Sequence, residues 1–118
     1  MSNQYKIIQW NCNGFANHFD EVKLITSKFN CLAICIQESR FKSNYHTKLK
    51  NFTCFFKNSF SGSIAHGGVC IYLNNLFDGE EITISSQYQV VAIKVKFPIK
   101  FIICSIYLPG SENISKSD

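Results

Sequence analysis

Six consecutive apolar residues, Cys31-Leu-Ala-Ile-Cys-Ile36, stop abruptly at Gln37-Glu38-Ser39, and no other stretch narrows the possible folds as much. A short run with no polar alternation fits a strand covered on both faces, which is how parallel strands read. Upstream, residues 5–10 are strand-like, and Asn11-Cys12-Asn13-Gly14 is a turn signal. Phe19, Val22, Ile25 and Phe29 then recur at helical spacing, with Asn17 placed to cap and Asp20 and Glu21 in the first turn. Strand, helix, strand gives a βαβ unit with parallel strands, and so an α/β fold.

After a basic, polar stretch over 40–51, the pattern predicts short strands at 52–56, 69–73, 82–84, 90–97 and 101–108. Pro98-Ile-Lys100 turns the last two into a hairpin. Lys94 and Lys96 alternate with Val91, Ile93, Val95 and Phe97, so one face of that strand is expected to be solvated near its end. The 101–108 run is apolar on both faces and reads as a central strand. Ser61-Gly-Ser63 and Gly67-Gly68 mark loops, and Ser115 to Asp118 resembles the start of a helix cap.

The 118 residues suffice for one core: 46% are hydrophobic, 17% are charged, and 11 Phe, 5 Tyr and 1 Trp are present. That richness excludes intrinsic disorder, and two Pro with six Gly exclude a collagen-like or low-complexity chain. No apolar run approaches the roughly 20 residues that span a bilayer, so a soluble chain without a membrane partner is expected. The net charge of +4 suits a polyanionic partner without requiring one.

The six cysteines (12, 31, 35, 54, 70 and 104) include no Cys-x-x-Cys pair. With no signal-peptide pattern at the start, they are expected to be reduced, buried apolar residues in an intracellular protein, nuclear or cytoplasmic.

Asn11 and Glu38 fall at the carboxyl ends of the first two strands, on the sheet edge where open α/β sheets hold ligands. One carboxylate with amides beside it suits Mg²⁺, which takes one or two carboxylates and keeps several waters. Tyr107 ends the last long strand, where a phenol can donate to a phosphate. Each has a plain structural alternative: a solvated strand end for Glu38, a simple turn for Asn13-Gly14, an interfacial aromatic for Tyr107. Spacing alone leaves the function undecided.

Four pieces taken in order change that: Ile8-Gln-Trp-Asn-Cys-Asn-Gly14, Ile36-Gln-Glu-Ser39, Gly67-Gly-Val-Cys-Ile-Tyr72 and Ser105-Ile-Tyr-Leu-Pro109. Together they resemble the endonuclease/exonuclease/phosphatase superfamily, and more narrowly the apurinic-type endonuclease domain of non-LTR retrotransposon polyproteins. The resemblance covers nearly the whole chain and implies that residues 1–118 are the N-terminal portion of a four-layer α/β-sandwich. It also implies a Mg²⁺- or Mn²⁺-dependent phosphodiesterase that nicks DNA, carried with a reverse transcriptase in one polyprotein. On that carry-over Glu38 is the metal ligand, Asn11 holds phosphate or orders the metal shell, and Tyr107 contacts the scissile phosphate. Asn13 stands where repair-type relatives carry a metal-binding Asp, and Ser39 where Thr is usual.

The family pattern continues with a Gly-Asp-Phe-Asn-type motif that activates water and a late Ser-Asp-His-type motif. The only Asp here are Asp20, Asp78 and Asp118, and the only His are His18, His46 and His66, none in such a motif. The segment is therefore expected to lack the general base and to be inactive alone. Two other readings stay open: a phosphoesterase of the same superfamily acting on another substrate, and a non-catalytic DNA-binding remnant using Lys42, Lys48, Lys50 and Lys57.

Overall fold

The structure is a computed structural model and describes residues 4–41, 46–58, 60–61, 64–65 and 67–108. Strand β1 (Lys6–Asn11) leads through a 3-10 turn (Ala16–His18) into α1 (Phe19–Lys28) and then β2 (Cys31–Gln37). β1 and β2 pair in parallel, with Asn11 opposite Gln37, so the expected βαβ unit forms with its strands as direct neighbours. Every residue of β2 is buried, as its unbroken apolar run requires.

Strand β3 (Phe52–Lys57) and a short hairpin of β4 (Phe60–Ser61) and β5 (Ile64–Ala65) precede β6 (Val69–Asn74). β6 lies antiparallel to both β2 and β3, giving a four-stranded sheet of order β1-β2-β6-β3. The remaining strands, β7 (Asp78–Ile82), β8 (Gln89–Phe97) and β9 (Phe101–Tyr107), form an antiparallel meander packed face to face on the first sheet.

Strand alternation sorts the apolar residues into two cores. Ala33, Cys35, Val69, Ile71 and Leu73 meet Val91, Ile93, Val95 and Ile103 between the sheets. The opposite face of the first sheet presents Ile34, Ile36, Cys70 and Tyr72 to Val22 of α1 and to Phe15, Phe41 and Leu49 of the loops. Phe15 stacks on Tyr72 at 5.1 Å between ring centroids, fastening the β1–α1 loop over the sheet. The described residues thus build a mixed α/β fold, mostly strand, in three layers: helix and loops, sheet, sheet. A second helical layer does not occur among them.

Several expectations need correction. Among the described residues β9 is an edge strand of its sheet, not a central one. Its outward residues Ile102 and Ile106 are 64% and 50% exposed, so its outer apolar face is one that the described residues leave uncovered. Asn17 lies inside the 3-10 turn and does not cap α1; the cap position is His18, with no side-chain hydrogen bond. Asp20 and Glu21 do occupy the first turn.

The strand expected at 82–84 lies earlier, at β7, and Ser61 belongs to β4 rather than to a loop. All six cysteines are free, but Cys104 is exposed and Cys54 only half-buried, because alternation turns Cys104 to the open face of the second sheet. Lys94 and Lys96 are exposed as expected. The cap expected at Ser115 to Asp118 lies outside the described residues.

Candidate functional site

The four motif pieces converge on one end of the sandwich. Hydrogen bonding between the β1 and β2 segments continues past both strands, from Cys12 N to Gln37 O (3.0 Å), Gly14 N to Glu38 O (2.7 Å) and Phe15 N to Ser39 O (3.0 Å). On its other side the Glu38-Ser39-Arg40 segment is held by Ser39 N donating to Gly68 O (3.3 Å) and Arg40 N to Gly67 O (2.9 Å). Glu38 is therefore fixed between the turn that contains Asn13 and the loop that contains Gly67-Gly68.

This weave needs left-handed backbone. Asn13 (φ 54°), Glu38 (φ 55°) and Arg40 (φ 57°) all adopt it, alongside Gly14, Gly67 and Gly68. Asn tolerates that region, whereas Glu and Arg adopt it at a cost, and such strain concentrates at functional sites. Gly68 is required for space as well as for its φ of 89°: a Cβ there would lie 2.7 Å from Ser39 Oγ. Ser39 is 1% exposed, and its buried hydroxyl has no hydrogen-bond partner among the described residues.

The second sheet contributes through β8 and β9. Gln37 Nε2 donates to Ser105 Oγ at 2.9 Å, and Gln9 Nε2 donates to Gln37 Oε1, forming a polar ladder from β1 through β2 to β9. Two residues beyond Ser105 on the same face, Tyr107 lies cross-strand from Gln89, whose Oε1 accepts the Gly68 N–H. Asn11, Gln37 and Tyr107 line one open groove of about 720 Å³ between β1 and β9, so two of the sequence-predicted site residues meet there.

Glu38, the residue after Gln37, keeps its carboxylate beside Arg40, with Oε1 3.3 Å from Nη2. Asn13 is exposed on the turn whose next residue, Gly14, hydrogen-bonds the Glu38 carbonyl. Beneath the loop, burial pushes the Cys12 thiol up to about 11, partly offset by hydrogen bonds from the Gly14 and Cys12 backbone. Its Sγ lies 3.6 Å from Glu38 O.

The donors at this end are one carboxylate and the amides of Asn11 and Asn13. That set is poor for zinc or calcium and compatible with a hard cation that keeps its water. Among the described residues no cluster of three His, Cys, Asp or Glu is placed to hold a metal.

The other acids and histidines lie elsewhere. Asp20 pairs with Lys23 on α1, Asp78 opens β7 opposite Phe97, His18 pairs with Glu21, and His46 packs on Phe56. Asp118, His66 and Lys42 lie outside the described residues. Of the lysines weighed for nucleic-acid binding, Lys48 and Lys50 are exposed, while Lys57 Nζ donates to Tyr88 O at 3.0 Å and serves the fold.

Residue types and spacing did not single out Arg40, Gln37 or Gln89, whose roles depend on tertiary neighbours. Compared with known proteins, the chain matches no family model and no curated protein. Among the described residues no helix is long and apolar enough to cross a membrane.

Proposed function

We propose that the chain is the N-terminal portion of a metal-dependent, DNA-nicking phosphodiesterase domain of the endonuclease/exonuclease/phosphatase type, carried by a non-LTR retrotransposon polyprotein with a reverse transcriptase. The observation that supports this most is the convergence of Asn11, Glu38 and the Gly67-Gly68 loop at one sheet edge, beside the groove that Asn11 and Tyr107 line and Glu38 does not. Resemblance in sequence order alone did not require those pieces to meet in space.

In this reading Glu38, assisted by the amides of Asn11 and Asn13, holds a Mg²⁺ or Mn²⁺ ion. Such an ion, when bound, supplies charge to stabilise the phosphorane-like transition state. Asn11 orients the phosphate, and the Tyr107 phenol donates a hydrogen bond to a non-bridging oxygen. The positive-φ loop keeps these groups preorganised, since its backbone polar groups are already committed to one another. The water-activating Asp and the late His are supplied from outside residues 1–118, so this segment binds and positions but does not hydrolyse alone.

Paramagnetic broadening of backbone amides by Mn²⁺ tests the site. Broadening centred on Asn11, Asn13 and Glu38–Arg40 is expected, and Glu38→Gln should abolish it. Broadening centred elsewhere, or unchanged in Glu38→Gln, overturns the reading. Mg²⁺-dependent plasmid nicking by the 118-residue chain, lost in Glu38→Ala, would overturn the assignment of the general base to residues outside it.

A further inference from the structure

Arg40 carries more constraint than a surface arginine needs. It stands in the left-handed region, which glycine would occupy freely, and its N–H is tied to Gly67 O at 2.9 Å. Its Cδ lies 3.8 Å from where a Cβ on Gly14 would sit, so the side chain crosses the turn that follows Asn13. The guanidinium reaches Glu38 through one N···O contact of 3.3 Å and has no other partner among the described residues. Arginine binds anions best through two parallel donors, so this contact leaves most of its capacity unused. The Arg40 side chain is 43% exposed and that of Glu38 21%, so the charge the chain buries deeper is the carboxylate.

Resting on the metal-site reading above, we propose that Arg40 is a phosphate-binding arm held in reserve by Glu38. Without a divalent cation, the guanidinium serves as the counter-ion of the carboxylate. When a cation takes Glu38, the carboxylate's charge is satisfied, and the guanidinium turns to a phosphodiester oxygen at the same edge. The arm links two ligands: metal and DNA phosphate each favour the state the other needs. The strained backbone is the stability given up to place the guanidinium at Glu38.

Arg40→Gly is the informative variant, because it removes the guanidinium while relieving the backbone. It is expected to melt at a higher temperature than the parent and to bind Mn²⁺ several-fold more tightly, since the competing cation is gone. Its affinity for a short fluorescein-labelled DNA duplex in Mg²⁺ should fall about tenfold, the scale of a lost charge-assisted contact. Glu38→Gln should bind no Mn²⁺, yet bind the duplex without metal several-fold more tightly than the parent does without metal. Lys48→Gln removes the same charge from an exposed loop and should leave the effect of Mg²⁺ on DNA affinity intact.

Arg40→Gly with unchanged Mn²⁺ and DNA affinities overturns the arm while leaving the metal site standing. A parent chain that binds no Mn²⁺ at Glu38 overturns the functional reading, and the arm with it.

Discussion

Gln37 donates its side-chain amide to Ser105 Oγ at 2.9 Å across 68 residues of sequence, from the end of β2 to the end of β9. Both side chains are buried, Gln37 at 6% and Ser105 at 2% exposure, and the bond aligns the two sheets where the candidate site sits. Ser105→Ala orphans one buried amide hydrogen and should cost about 1–3 kcal/mol in urea unfolding. The Gln37→Leu/Ser105→Ala double variant should recover part of that loss, giving a measurable coupling energy in a double-mutant cycle. Additive losses would show that the two groups do not depend on each other.

Glu38 carries a second, separable burden in its backbone. Glycine at φ 55° avoids the Cβ clash, and the ion pair with Arg40 is partly exposed and worth little. Glu38→Gly is therefore expected to raise stability by about 0.5–1 kcal/mol, a few degrees in the thermal midpoint, while eliminating Mn²⁺ binding. A lowered midpoint would show that the carboxylate contributes to the fold and is not strained for the sake of a ligand.

Packing behind the loop gives an opposing pair of substitutions. Gly68→Ala sets a Cβ 2.7 Å from Ser39 Oγ at φ 89° and should cost about 2 kcal/mol or more. Ser39→Ala removes a buried hydroxyl that has no partner among the described residues and should leave stability unchanged or raise it by up to about 1 kcal/mol. Calorimetry on both variants checks the signs, and destabilisation by Ser39→Ala would reveal a partner for that hydroxyl.

Thiol ionisation sets an alkaline limit. Burial raises Cys12 and Cys35 from an ordinary 9.0 to about 11, so the folded chain holds these protons more tightly than the unfolded one. Their contribution is complete below pH 9 and is lost as the pH rises towards 11. At roughly 1.4 kcal/mol for each tenfold difference in proton affinity, the two together weaken the fold by several kcal/mol at high pH. Unfolding midpoints should fall over that window as thiolate absorbance appears, and Cys104, the exposed thiol, should be alkylated first at pH 8. Modification of Cys12 ahead of Cys104 would contradict the burial order.

The βαβ start was readable because β2 is apolar at consecutive positions and α1 carries its apolar residues at helical spacing, both local patterns. Once those strands were parallel, Asn11 and Glu38 had to share an edge, so half of the candidate site followed from topology. β9 was misread because a two-sided apolar strand has the same sequence pattern whether its outer face is covered or, as at Ile102 and Ile106, open. The left-handed backbone at Glu38 and Arg40 left no trace in residue type, since neither is a residue that favours it. Gln9, Gln37 and Ser105 are individually ordinary polar residues, and only the meeting of two sheets makes them a ladder.

The place of β2 has a further consequence for motion. Flanked on both edges and buried at all seven residues, it should hold the slowest-exchanging amides of the chain, and Glu38 hangs directly from its end. β9, with β8 on one side only among the described residues, should exchange faster and open first, taking Tyr107 with it. Local opening then dismantles the site in a fixed order: the phenol departs while the carboxylate keeps its place.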